Sequence, residues 1–222
     1  VPPADVDAVA AVLVAVSDMI VDLPELAELD INPLSVGPDG AIAVDARAVV
    51  RATRPEEGDR LALKPYPAEL ERELRLPDGS ALHLRPIQPE DEPALIEMGR
   101  RTRPEDLRLR FFTWVKDFPH PLAARLSQID YHREMALVAL EPDGAIGGVG
   151  RLICDPNFET GEFAIIVRSD LQGRGLGRAL LDAVLDYAAD RGVKRVVGEV
   201  LRENRTMLAL VSDLGARIGP GA

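Results

Sequence analysis

The chain has 222 residues, 46% of them hydrophobic and 28% charged, which suits one or two packed domains and excludes a disordered segment or a fibrous repeat. Its 26 basic residues against 37 acidic ones leave a formal charge of −11, so neither nucleic acid nor an anionic membrane is its general partner, since both require a basic surface. One cysteine, Cys154, excludes an internal disulfide, and the longest apolar run, 8–16, has nine residues where a bilayer crossing takes about 20; the predicted compartment is a reducing cytoplasm.

Val6, Val9, Leu13, Val16 and Ile20 recur at helical spacing, so the chain opens on one amphipathic helix, with Pro24 beyond it. Asp5 and Asp7 stand where a signal peptide carries Lys or Arg, and the first residue is Val1 rather than Met, so the sequence reads as a fragment. "ELDINPLSV" and "AIAVDA" flank the turn "GPDG" at 37–40 as two short strands. Residues 1–52 are thus a helix plus a hairpin, too small to bury much core alone. The Pro-rich, charged stretch 53–68 reads as a linker, and a second domain is expected over 69–222.

In that domain "ALHLRPI" alternates as a strand with Leu82 and Leu84 on one face, and "QPEDEPALIEMGRR" and "PEDLRLRFF" each start a helix with acids in the first turn. The arginines of 101–110 are read as a solvated helix face. Three strand candidates follow in "EMALVAL", "AIGGVGRLICD" and "GEFAIIV", the first two joined by a Pro-Asp-Gly turn at 142–144. A helix from about 178 to Gly192, a strand "KRVVGEVL" and a short helix capped by Asn204 complete the order. The expected fold is a mixed α/β domain: strand, two helices, three strands, helix, strand, helix, around a mainly antiparallel sheet.

Between the last of the three strands and the long helix stands "QGRGLG", 172–177. Glycines at a strand-to-helix junction leave amide hydrogens converging on one spot, the helix dipole adds partial positive charge there, and phosphate suits such a spot. Arg168, Arg174 and Arg178 against Asp170 give the stretch a local balance of +2 in an acidic chain. A dinucleotide fingerprint would need glycine at 178 or 180, where Arg178 and Leu180 stand, and a Walker A loop would need Gly-Lys-Ser/Thr at the helix start. Both are excluded.

Gln172-Gly173-Arg174-Gly175-Leu176-Gly177 matches the Q/R-x-x-G-x-G/A loop of GNAT N-acyltransferases. "LRPIQPEDEPAL", "RLRFF" and "NRTMLALVSDLG" resemble that family's first strand and helix, the end of its second helix and its closing helix, over about residues 70–222. Separately, "ELDINPLSVGPDGAIAVDAR" resembles the end of the ATP-grasp domain of nucleoside-diphosphate-forming acyl-CoA synthetases, with Asn32 and Asp45 at its nucleotide-binding positions; here both are read as structural turn and strand residues. The combination is similar to bacterial lysine acetyltransferases that modify acyl-CoA synthetases.

The resemblance implies acetyl-CoA as acyl donor and a protein lysine, on an acyl-CoA synthetase, as acceptor. An ammonium of pKa near 10.4 must lose its proton before attacking a thioester, so a base is needed. The family position for it falls on Glu162, with Glu159 in reserve. By the same resemblance the main chain of Ile165 to Val167 faces the thioester and pantetheine. Gln172, Gly173, Arg174, Gly175 and Gly177 hold the pyrophosphate with Arg178 nearby, and Asn204 contacts the cofactor. The tyrosine many members use as general acid, seven residues after this asparagine, is Val211 here; Tyr131 and Tyr187 are read as packing residues, and Cys154 as a small buried apolar one. Ala216 replaces the usual Phe after the final Leu-Gly, so the last strand of the fold is expected to be missing. The alternatives are a GNAT acting on a small amine and a non-catalytic acetyl-CoA sensor. His83, His120 and His132 lack metal-ligand spacing, and no metal is expected.

Overall fold

The computed structural model describes residues 4–52, 64–115 and 118–219. The chain divides into two compact units, Val1–Pro65 and Tyr66–Ala222. Most of the expected linker, 53–63, lies outside the described residues.

In the first unit, helix α1 (Val6–Asp22) starts at Asp5, whose carboxylate accepts from the Ala8 amide at 2.9 Å and satisfies one of the N–H groups a helix start leaves unpaired. None of its residues is buried. The expected hairpin is present as β2 (Leu34–Gly37) and β3 (Gly40–Ala43), but it is nested inside a second antiparallel pair, β1 (Leu26–Ile31) with β4 (Ala46–Val50). The sequence reading merged β1 with β2 because Asn32-Pro33 interrupts them by two residues only. Asn32 and Asp45 lie where this outer ladder ends, the Asn32 amide donating to the Asp45 carbonyl at 3.1 Å.

The second unit is built on a six-stranded sheet in the order β10-β9-β8-β7-β6-β5, formed by β5 (Arg72–Arg75), β6 (Ala81–Pro86), β7 (Glu134–Leu140), β8 (Ile146–Cys154), β9 (Thr160–Val167) and β10 (Arg195–Val197). Every pairing is antiparallel except β9 with β10. The helices are α2 (Glu92–Arg100), α3 (Pro104–Phe111), α4 (His120–Ser127), α5 (Leu176–Asp190) and α6 (Arg205–Asp213).

Strand alternation divides the core in two. Leu82, Leu84, Met135, Leu137, Leu152 and Ile165 join Leu180, Leu181 and Val184 of α5 on one face, and Ala136, Val138 and Val149 join Leu95 and Met98 of α2 and Ala123 of α4 on the other. At roughly 25 cal/mol per Å² of buried apolar area, a fully covered leucine such as Leu180 contributes about 2 kcal/mol.

Three corrections apply to the expected order. β5 precedes the first anticipated strand, because the charged "RELR" sits at the sheet edge, where only Leu74 turns inward. A third helix, α4, lies between α3 and β7; its eight residues are too few for periodicity to stand out. The strand read over 194–201 ends at Val197, and the reason bears on the site.

Candidate active site

The amide of Arg168 donates to the Gly147 carbonyl at 2.9 Å, which fixes the phase of the β8–β9 ladder. Antiparallel pairing turns alternate residues toward the partner strand, so Ile166, Ala164 and Glu162 direct their main-chain groups to β8, while Phe163, Ile165 and Val167 direct theirs the other way. On that other side β10 pairs only as far as Val197 opposite Glu162. The next residue, Gly198, lies so close to the Phe163 ring that an added Cβ would require the ring to move, and the strand pairing ends just before it. Past it, the outward amide and carbonyl groups of Ile165 face a cleft instead of a strand. The Gln172 amide nitrogen reaches the Val167 carbonyl at 3.2 Å.

This cleft is lined by Leu109, Arg110 and Phe112 from α3 and its end, by 162–165 of β9, and by Glu199, Val200, Asn204 and Met207. It therefore brings together three residues named from the sequence: Glu162, Ile165 and Asn204. Glu162 is exposed and shares the α2 face of β9 with Ala164 and Ile166. Glu159 lies apart, its carboxylate held by Lys194 Nζ at 2.6 Å. Asn204 caps α6, its Oδ1 accepting from the Met207 amide at 3.1 Å.

The glycine loop follows β9 after one helical turn, 169–171. Gly173 and Gly175 adopt positive φ, 78° and 92°, and Gly175 is the N-cap of α5 with no capping side chain. From Gly173 to Arg178 no amide donates to an acceptor among the described residues; the first helical bond runs from Ala179 to the Gly175 carbonyl at 3.0 Å. Six successive amides without an acceptor among the described residues thus stand at the positive end of a 15-residue helix.

The arginines are arranged differently from the sequence count. Arg168 is 1% exposed and is held by Glu141 at 2.6 Å and by Asp170 at 2.6 Å, so it supports the loop from below and adds no charge to its surface. Arg178 is taken up by Asp182 one turn on, at 2.9 Å. Of the three, Arg174 alone has no ion pair among the described residues. Of the local excess of +2, the Arg174 side chain alone thus reaches solvent without an ion pair among the described residues.

Two residues of the cleft were missed. Arg110 was read as part of a solvated face but turns inward, because it follows buried Leu107 by three positions and so shares its helix face. Arg110 makes no hydrogen bond or ion pair among the described residues. Burial, with the nearby Arg151 guanidinium, pushes its pKa down to about 10, and Glu162 opposes the shift. The helical spacing from Leu107 was the available signal. Glu199 was hidden inside a predicted strand.

The remaining candidates take structural places. Cys154 is 7% exposed in the core, and desolvation raises its thiol pKa, which disfavours the nucleophilic thiolate. Tyr131 donates to the Ile87 carbonyl at 2.6 Å, Tyr187 packs on the α5-side core, and Val211 is 8% exposed. Among the described residues no cluster of His, Cys, Asp and Glu could hold a metal ion, and no helix is long and apolar enough to cross a membrane.

The model of the Acetyltransferase (GNAT) family matches residues 103–216, just over half of the chain. The chain belongs to this family. A GNAT enzyme is an acyltransferase whose acyl donor is acetyl-CoA. An ATP-grasp domain model matches residues 1–50. An acetyltransferase of Pseudomonas aeruginosa is 32% identical over 63% of this chain and 77% of its own length. The acetyltransferase Pat of Mycolicibacterium smegmatis is 30% identical over 62% of this chain, which spans only 42% of Pat. The beta subunit of ADP-forming acetate–CoA ligase I from Pyrococcus furiosus is 44% identical over 48 residues, 22% of this chain and 21% of the subunit. Among solved structures, the GNAT domain of S. lividans PAT superposes with a TM-score of 0.64 at 28% identity, over 68% of this chain and 90% of that domain.

Proposed function

We propose that this GNAT domain transfers the acetyl group of acetyl-CoA to a lysine ε-amine of a protein, an acyl-CoA synthetase being the acceptor. The reading rests chiefly on the splayed β9–β10 junction, where Glu162 stands at the last paired level and unpaired main-chain groups run from it toward six free amides. The similarity to Pat supports a protein acceptor, and the ATP-grasp segment shared with a CoA ligase supports the acceptor's class.

Each step has a residue to perform it. The amides of 173–178 bind the pyrophosphate, and the pantetheine arm lies along Ile165 and Val167 in place of the strand that β10 does not supply. Glu162, directly or through water, takes the proton of the incoming ammonium; it suits this better than Glu159, whose carboxylate is occupied by Lys194. The amine nitrogen attacks the thioester carbon, and the carbonyl oxygen, now an anion, accepts from an outward amide of β9. Collapse breaks the carbon–sulfur bond. Among the described residues no tyrosine lines the cleft, so the thiolate of CoA leaves as such or takes a proton from water, which is feasible for a thiol of pKa near 8.5.

Glu162→Gln removes the base while keeping the shape. CoA-thiol release in the presence of acyl-CoA synthetase should fall about 100- to 10,000-fold, with acetyl-CoA affinity retained. Unchanged turnover would remove Glu162 from the mechanism. Offering polyamines beside the synthetase tests the acceptor: faster turnover of the polyamines would make this a small-amine enzyme.

A further inference from the structure

Two aromatic side chains just past α3 are exposed, Phe112 at 45% and Trp114 at 61%, the latter the one tryptophan of the chain. Phe112 ends α3 in the left-handed conformation, φ 59°, which glycine adopts freely and an aromatic residue only under strain. Its amide donates to the Arg108 carbonyl at 2.8 Å, and its side chain lines the cleft. Trp114 is held by the Arg108 side chain, whose guanidinium carbon lies 5.5 Å from the ring centroid. The same guanidinium donates to Glu203 at 2.7 Å, next to Asn204 in another wall of the cleft. The indole is thus pinned through two walls of the cleft while most of its surface faces solvent. We propose that Trp114, with Phe112, is the docking surface for the acceptor protein, the indole entering an apolar depression in a basic patch around the target lysine.

The inference rests on the protein acceptor proposed above and names the surface that recognises it. Scattered apolar side chains on a surface need no partner. Here, however, one aromatic is kept on a strained backbone and the other is fixed by a guanidinium that is itself ion-paired, so both are presented with little ordering left to be lost on binding. Tryptophan in such a setting is a frequent anchor of protein interfaces. The charge beside it selects the partner. Glu162 and Glu199 are exposed in the cleft without an ion pair among the described residues, Glu203 is neutralised by Arg108, and the chain carries −11 overall, so a basic patch is attracted and an acidic one repelled. Arg110, the one cation of the cleft lining, is half-buried and turned inward. A small amine can be served by Glu162 alone and gains nothing from an indole outside that lining, so the surface suits a macromolecular acceptor.

With its one tryptophan replaced by fluorotryptophan, the chain gives a single fluorine NMR signal. Unlabelled acyl-CoA synthetase should move that signal, and free lysine should not. Trp114→Ala should raise the KM for the synthetase about tenfold or more with kcat nearly kept, the loss that truncating an aromatic anchor brings, and Trp114→Phe should recover most of it. A signal that stays in place while the synthetase is acetylated, one that free lysine moves as far, or a KM that Trp114→Ala leaves as it was would overturn the docking surface while leaving protein acetylation intact. A signal that moves with the concentration of this chain alone would assign the surface to a second copy and overturn the proposal equally. Synthetase that is neither acetylated nor bound would overturn the acceptor class itself, and this inference with it.

Discussion

The three glycines of the loop are not equivalent, and alanine at each in turn tests the geometry. Gly175 has φ of 92°, where an L-residue costs about 1–2 kcal/mol, and an added Cβ would lie 2.9 Å from Pro77 Cδ and 3.1 Å from its Cγ. Pro77 sits in an exposed turn and can move, so the steric part stays near about 1 kcal/mol and Gly175→Ala should cost about 2–3 kcal/mol. Gly173 has φ of 78° but nothing within 4 Å of an added Cβ, which leaves backbone strain alone, about 1–2 kcal/mol. Gly177 lies in the first turn of α5, and its added Cβ would meet Val167 Cγ2 at 3.6 Å, an ordinary contact. Gly177→Ala should therefore change stability by less than about 0.5 kcal/mol, because the gain in helix propensity offsets any adjustment. With about 2–4 °C of Tm per kcal/mol in a domain of this size, scanning calorimetry should show losses of about 4–12 °C for Gly175→Ala, about 2–8 °C for Gly173→Ala and under about 2 °C for Gly177→Ala. A Gly177→Ala loss equal to that of Gly175→Ala would refute the assignment of strain to positive φ.

Other perturbations separate structural from functional roles. Asn204→Ala removes the cap on the Met207 amide and should cost about 1 kcal/mol in denaturant unfolding, whereas Asn204→Asp keeps the cap; a drop in acetyl-CoA affinity common to both would show that the asparagine also contacts the cofactor. Arg168→Met replaces a buried cation by an apolar chain of similar reach and should cost far less than Glu141→Ala, which strips a partner from a guanidinium 1% exposed. The Arg168 hydrogen bond holds the Asp170 carboxyl below its usual range, so its contribution to stability is complete above pH about 4 and lost as pH falls through the folded value. Asp170→Asn should accordingly flatten the acid limb of a Tm-against-pH curve; an unaltered limb would count against the pair. Leu180→Ala should cost about 2–5 kcal/mol by opening a cavity under α5.

How far the sequence revealed these features depended on whether a local pattern carried them. The order β7-β8-β9-α5 was legible because alternation, a Pro-Asp-Gly turn and a 3.6-residue stripe each act over a few residues, although the helix expected from about 178 begins at Leu176, with Gly175 as its N-cap. The helix α4 was not, since eight residues opening with His120-Pro121 show barely two turns of pattern. β10 ends at Val197, just before Gly198 meets the Phe163 ring thirty-five positions earlier in the chain, a contact that "KRVVGEVL" alone does not display. Glu162 and Asn204 came from motif resemblance, and the fold sets them in one cleft. Arg110 could have been inferred from its three-residue spacing to Leu107, whereas Glu199, inside a segment that reads as a strand, needed the tertiary arrangement.

That arrangement also changes what makes the loop attractive to an anion. Counted along the sequence, three arginines against one aspartate give a positive patch on an acidic protein. In the fold Arg168 is buried against Glu141 and Asp170, and Arg178 is paired with Asp182, so each is neutralised where it stands. What the loop offers an anion is the row of amides 173–178, which have no acceptor among the described residues, the dipole of α5 and the exposed side chain of Arg174. Backbone donors are fixed in direction, whereas a guanidinium on a flexible stem is not, so this composition favours a ligand whose oxygens match the spacing of a helix start over an arbitrary polyanion. Under the proposed function, a chain with a net charge of −11 would in this way bind one diphosphate and still repel nucleic acid, because the attraction is confined to about one helical turn and dies away beyond a Debye length of about 8 Å at physiological salt.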